Sequence, residues 1–134
     1  MKNPDFNGLW RLDVSRSLLP NTDIVAMSVK IEHSDPKFLQ TIKTLQSDGK
    51  VTLNHFAGVS TNEEFSNSIH GRSVRSTAKW RGKELVIDSY VETGANAIHL
   101  RDHWFLSDDG AELHMEHRDD DLAGQLAVLK RIVE

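Results

Sequence analysis

Four turn-forming pairs punctuate this chain: Asp35–Pro36, Asp48–Gly49, Arg81–Gly82 and Asp109–Gly110. Each lies between two runs in which apolar and polar side chains alternate, which is the signature of a β-hairpin. Reading strands between such turns gives ten segments, near 8–14, 26–33, 37–46, 50–57, 62–69, 73–80, 84–91, 97–106, 111–118 and 125–133. No sustained apolar period of 3.6 residues appears, and helix is expected only as a turn or two within Ser15–Val25.

The hairpins can be checked against one another, because a strand shifted by one residue exchanges its two faces. With Ser107–Gly110 as a loop, Trp104 faces Leu113 and Asp102 faces Met115. One side then collects Ile98, Leu100, Trp104, Leu106, Leu113 and Met115. The other side carries His99, Arg101, His103, Glu112, His114, Glu116 and Arg118. The turn at Asp48–Gly49 groups Phe38, Ile42, Val51 and Leu53, and Asp35–Pro36 adds Met27, Val29 and Ile31. Across Arg81–Gly82, Val74, Ala78 and Trp80 meet Leu85, Ile87 and Val91. A meander with one apolar face must curl to bury that face, and closure also removes exposed strand edges. The expected fold is therefore all-β: an antiparallel up-and-down β-barrel of eight to ten strands with an internal cavity, forming one domain over positions 1–134. A two-sheet sandwich is the competing arrangement.

Composition removes several function classes. The chain has 134 residues and no cysteine, which excludes disulfides, thiolate nucleophiles and thiolate metal sites. Its formal net charge is −4 and no basic block stands out, so nucleic acid is not an expected partner. No apolar stretch approaches the roughly 20 residues of a membrane span. The opening Met1–Trp10 lacks the apolar run of a signal peptide, and a cytoplasmic location is the expectation, a trimmed leader being the alternative.

The first strand, Phe6-Asn7-Gly8-Leu9-Trp10-Arg11-Leu12, resembles the opening of calycin-superfamily barrels, the lipocalins and fatty-acid-binding proteins, which carry Gly-x-Trp on strand A. The segments Ser76–Trp80 and Asp102–Ser107 are similar to small bacterial lipocalin-like domains. The resemblance implies that Trp10 closes the floor of the barrel and that a basic residue of the last strand packs over it, with Arg131 taking that role in preference to Lys130. Gly8 would then permit a tight backbone turn, and Arg131 over the indole would form a cation–π contact. The segment joining the first two strands is about a dozen residues, shorter than the helical lid of fatty-acid-binding proteins, and the Thr-Asp-Tyr motif of classical lipocalins is not evident.

An inward apolar face carries polar residues with it. By parity these are Gln40, Thr44, His55, Ser76, Ser89, Asp102 and His117. A packed core would exclude such a set, since unpaired buried polar groups cost free energy, whereas a cavity with a few converging polar groups accommodates it. His55, Gln40, Thr44, Ser76, Ser89, Trp80, Trp104 and Met115 are the expected ligand contacts. Asp102 and His117 sit diagonally across one hairpin and form the candidate acid–base pair. A glycosidase would need a second inward carboxylate, with Glu64 and Asp88 the candidates, and no Gly-x-Ser-x-Gly nucleophile motif is present.

His103 and His114 face each other on the outer side in this register, but that face reads as solvated rather than metal-binding, and no metal or cofactor is expected. The reading that follows is a barrel that binds a small, partly apolar ligand as a monomer or homodimer. A cofactor-independent hydrolase or isomerase in the same cavity is the alternative, and a structural module with a filled core is the third. Phe65 and Phe105 are read as exposed residues that could belong to a partner surface.

Overall fold

The computed structural model of the chain describes residues 4–18, 23–69, 71–94, 96–119 and 124–132. It contains ten strands: β1 (Gly8–Leu12), β2 (Ile24–Ser34), β3 (Lys37–Gln46), β4 (Val51–Val59), β5 (Phe65–Ile69), β6 (Arg72–Arg81), β7 (Glu84–Thr93), β8 (Asn96–Leu106), β9 (Glu112–Asp119) and β10 (Gln125–Arg131). A single 3-10 turn, Val14–Arg16, follows β1; positions 19–22 of the segment expected to hold a helical turn lie outside the described residues. All strand pairs are antiparallel, in the order β4-β3-β2-β1-β10-β9-β8-β7-β6-β5. The sheet is a meander whose first and last strands pair, Trp10 lying opposite Arg131. Among the described residues no helix is long and apolar enough to cross a membrane.

The sheet curls until its two edge strands, β4 and β5, meet. No backbone ladder joins them. Instead the Asn67 side chain of β5 accepts from the Ala57 N–H at 3.0 Å and donates to the Ala57 carbonyl at 2.9 Å, so one amide group stands in for a residue of a missing strand. Nearer the floor the Asn62 N–H donates to the Ala78 carbonyl at 2.8 Å. Gly58 permits close contact at this seam. A Cβ at that position would lie 2.4 Å from Cζ of Phe65 and 2.8 Å from Cζ of Phe38.

Two turns differ from the sequence reading, with different consequences. A two-residue turn at Asp48–Gly49 would place Val51 and Leu53 inward. The observed pairing is Leu45 with Val51, closed by Gln46 N–H to Lys50 carbonyl at 2.9 Å, with Gly49 at φ 88°. Three residues, Ser47–Gly49, therefore form the loop, with glycine in the left-handed position such loops favour. The extra residue exchanges the faces of β4. Val51 and Leu53 point outward and are more than half exposed, while Asn54, Phe56 and Gly58 face in. At the other turn the last pair is Leu106 with Leu113 instead of Leu106 with Ala111, and the connection is held by Asp109, which accepts from the Ser107 hydroxyl at 2.7 Å and the Ala111 N–H at 3.0 Å. Trp104 then faces Met115 rather than Leu113. This shift is two residues, so the faces survive.

One end of the barrel is packed solid. Phe6, Trp10, Leu12, Phe38, Leu85, Trp104, Leu113 and Leu129 are buried there. Phe6 stacks between His33 and Trp80, each 5.6 Å away, and meets Trp104 edge-on at 6.1 Å. Phe38 continues the cluster to Trp104, Phe56 and Phe65. Phe65 thus packs into the seam and is not a free surface residue; Phe105 stacks on His114 at 5.1 Å.

The outer face of β7–β9 holds its charges in pairs. Asp88 accepts from Arg101 Nε at 2.9 Å and lies 2.9 Å from His99 Nε2. Partial burial pushes the Asp88 carboxyl up, but the hydrogen bonds and charges of Arg101 and His99 outweigh that and hold it below its ordinary value. A carboxyl lowered in the folded state adds stability above the unfolded value, about 3.9, and that stability is lost as pH falls through the folded value. Asp88→Asn should therefore lower Tm at pH 7, and the gap to the wild type should close between about pH 4 and pH 2. A gap of equal size at pH 2.5 and pH 7 in thermal melts would remove the ion pair as its source.

Candidate functional site

Above the aromatic floor the barrel is hollow. The cavity has a volume of about 730 Å³ and is lined by Met27, Gln40, Ile42, Asn54, His55, Phe56, Ile69, Arg72, Val74, Ile87, Ser89, Val91, Leu100, Asp102, Trp104, Met115, His117, Gln125 and Ala127. This lies within the 300–1,000 Å³ typical of small-molecule sites. Its floor is marked by a contact across the lumen, where Gln40 Nε2 of β3 donates to Met115 Sδ of β9 at 3.5 Å. A core filled by the chain's own side chains, the third reading above, is incompatible with this space.

The polar groups are not scattered. In the sheet register Asp102 of β8 lies directly opposite His117 of β9, and His117 lies directly opposite Gln125 of β10. All three line the cavity, so they form one row across adjacent strands. His117 Nδ1 is 2.7 Å from Asp102 Oδ1. Since a carboxylate only accepts, Nδ1 carries the proton. The pair is therefore directly cross-strand rather than diagonal, a consequence of the two-residue shift at the turn between β8 and β9. A second internal pair, Ser76 and Ser89, shares a hydrogen bond at 2.7 Å.

The structure brings Gln40, Ser89, Asp102, Trp104, Met115 and His117 to the cavity surface, leaves His55 at its border, and separates Thr44, Ser76 and Trp80 from it. Ser76 is buried behind Ser89, and Thr44 faces Thr52 outside the lining. Trp80 lies in the floor cluster, where its Nε1 donates to Asp35 at 3.1 Å. His55 occupies an outward, exposed position of β4 and shares a hydrogen bond with Thr41 Oγ1 at 3.1 Å; it borders the cavity beside the inward Asn54 and Phe56. The reason is again the three-residue loop at Ser47–Gly49.

Neither candidate second carboxylate points in. Asp88 is on the outer face with Arg101, and Glu64 is exposed beside Arg75. His103 faces Glu116, not His114, and is 2.7 Å from Glu84. Among the described residues no group of three His, Asp or Glu side chains could hold a metal ion.

At the floor, Trp10 is fully buried and donates from Nε1 to the Phe6 carbonyl at 3.0 Å. The Arg131 guanidinium carbon lies 4.2 Å from the indole centroid, and Nη1 donates to the Asn7 carbonyl at 2.7 Å. A Cβ on Gly8, at φ 139°, would lie 2.8 Å from Arg131 Nη1, so this glycine leaves the path open for the arginine. Sequence reasoning missed Arg72, Gln125, Asn54 and Ile69 in the lining, and Phe6 and His33 in the floor. Only the pairing of β10 with β9 reveals Gln125, and only the true parity of β4 reveals Asn54.

Comparison with known proteins agrees with this architecture. The chain has the calycin β-barrel fold. It superposes on a secretory abundant heat soluble protein from Ramazzottius varieornatus with a TM-score of 0.70 and 15% identity, covering 98% of both chains. It superposes on apo lipid binding protein 8 of Caenorhabditis elegans with a TM-score of 0.66 and 11% identity, covering 95% of both. A Schistosoma mansoni fatty acid binding protein in complex with arachidonic acid matches with a TM-score of 0.64 and 15% identity over 96% of both. No family sequence model matches the chain, and comparison with curated sequences finds no match.

Proposed function

We propose that this protein binds a small, partly apolar molecule inside its barrel, as a carrier or store in the cytoplasm, acting as a monomer or homodimer. The observation that carries the reading is the hollow half of the barrel. Its 730 Å³ would hold about two dozen waters at about 30 Å³ each, and its walls are mostly apolar. Apolar walls with a few convergent polar groups favour a ligand over water. Structural neighbours described as binding fatty acid or lipid on the same scaffold support the class of ligand, at identities too low to carry its identity.

Native mass spectrometry of protein purified without denaturation should detect a retained small molecule. Leu100→Trp, which places an indole into the cavity, should weaken binding of the neutral dye Nile red by about tenfold or more, equivalent to about 1.4 kcal/mol. Dye affinity unchanged by that substitution would sink the cavity as the binding site. The hydrogen-bonded Asp102–His117 pair favours one other reading, an acid–base hydrolase or isomerase. Incubating the protein with excess of the retained molecule separates the two: recovery of the same compound, by mass and by chromatographic retention, supports carriage, and a converted product, an isomer of equal mass included, supports catalysis.

A further inference from the structure

The inward polar row specifies the chemistry of the ligand's polar end. Asp102 supplies one carboxylate oxygen to His117 at 2.7 Å. Its side chain is 28% exposed toward the cavity, and its other oxygen has no hydrogen-bond partner among the described residues. That oxygen can only accept. Gln125, two strands away in the same row, offers an amide that both donates and accepts. Around the row the inward neighbours Leu100 and Ala127 are apolar, Trp104 adds only its indole N–H, and Met115 only a thioether already taken up by Gln40. An acceptor left in apolar surroundings gains most from a donor, and gains more because the acceptor is charged.

A ligand carboxylate at the same place would face another carboxylate, and two like charges in one site cannot both be accommodated without penalty. The Nδ1 proton of His117 is already directed at Asp102, so it is not available to such a ligand. Arg72, the cation among the lining residues, is exposed at the first position of β6, beside the β5–β6 connection and apart from the row.

Resting on the carrier reading above, we infer that the ligand is a long apolar molecule whose polar end is an uncharged hydrogen-bond donor, a hydroxyl group, held by Asp102 and Gln125. Ligands headed by a carboxylate are disfavoured at this wall.

The test compares hexadecanol with hexadecanoic acid as competitors for Nile red at pH 7. The alcohol should displace the dye at a concentration about tenfold lower than the acid. Asp102→Asn keeps an acceptor oxygen and removes the charge, so in that variant the acid should gain and the two should bind within about threefold. Equal or tighter binding of the acid to the wild type overturns the inference and leaves the carrier reading intact, since the dye still reports an occupied cavity. If Arg72→Ala then weakens the acid, the head group sits at the mouth. Failure of both lipids to displace a bound dye also overturns it, as does a folded Asp102→Asn variant that keeps the wild-type preference. Absence of dye binding to the wild type removes both readings together. The wild-type ranking decides without any variant, so misfolding of Asp102→Asn would not protect the inference.

Discussion

Trp10→Ala will cost about 3–5 kcal/mol of folding free energy, the range for deleting a fully buried large aromatic. Domains of this kind are stable by about 5–15 kcal/mol, so the loss removes a fifth or more of the total. Three losses coincide at this position. The indole is completely buried among Phe6, Leu12 and Leu129, its Nε1 satisfies the Phe6 carbonyl, and its face supports the Arg131 guanidinium. Alanine leaves a cavity, an orphaned carbonyl and an arginine with no ring beneath it. Urea denaturation reads the effect as a fall in midpoint with the slope preserved. Arg131→Ala should cost less, because the arginine is only partly buried and its cation–π contribution is about 0.5–2 kcal/mol. A Trp10→Ala cost below that of Arg131→Ala would show that the indole does not anchor the floor.

The second large effect carries a sign that intrinsic propensity gets wrong. Valine is a good strand former and glycine a poor one, so Gly58→Val on propensity alone should stabilise β4. The packing at the seam says the reverse. Even a Cβ would approach Phe65 Cζ to 2.4 Å and Phe38 Cζ to 2.8 Å. Both rings belong to the interlocked cluster with Phe56 and Trp104, so neither can move aside independently. Overpacking of this kind costs about 1–3 kcal/mol. Phe65→Ala in the Gly58→Val background should restore part of the loss, and a double-mutant cycle in denaturant measures that coupling. Gly58→Val at or above wild-type stability would mean that the seam is looser than described.

The strand positions were legible because alternation and turn residues are local signals, readable wherever a strand buries one face. What local signals leave open is the number of residues in each turn. Asp48–Gly49 marks a hairpin equally well with a two- or a three-residue loop, yet that single residue decides whether Leu53 and His55 or Asn54 and Phe56 face the cavity. At Asp109–Gly110 the extension was even, so Asp102 and His117 kept their inward face and only their pairing changed. Phe6 carries no comparable signal, and the role of His33 is not a local one. Phe6 precedes the first strand, and His33, although it continues the inward alternation of Met27, Val29 and Ile31, shows no partner until the fold brings both into one stack with Trp80. Arg72 and Gln125 begin their strands, where alternation has too few residues to show a face.

The Asn67 bridge gives the barrel a preferred place to open. Elsewhere, separating neighbouring strands means breaking a backbone ladder cooperatively. Along β4 and β5 the hydrogen bonds joining the edges, among the described residues, belong to one side-chain amide on Ala57. Parting that line away from the Phe38, Phe56 and Phe65 contacts exposes few groups and leaves every ladder intact, so it belongs to the low-energy local openings of a native protein rather than to its unfolding. Amide hydrogens along the facing edges would then exchange with solvent far sooner than those of β1 or β10. A guest could enter sideways through this line while the aromatic floor stays closed.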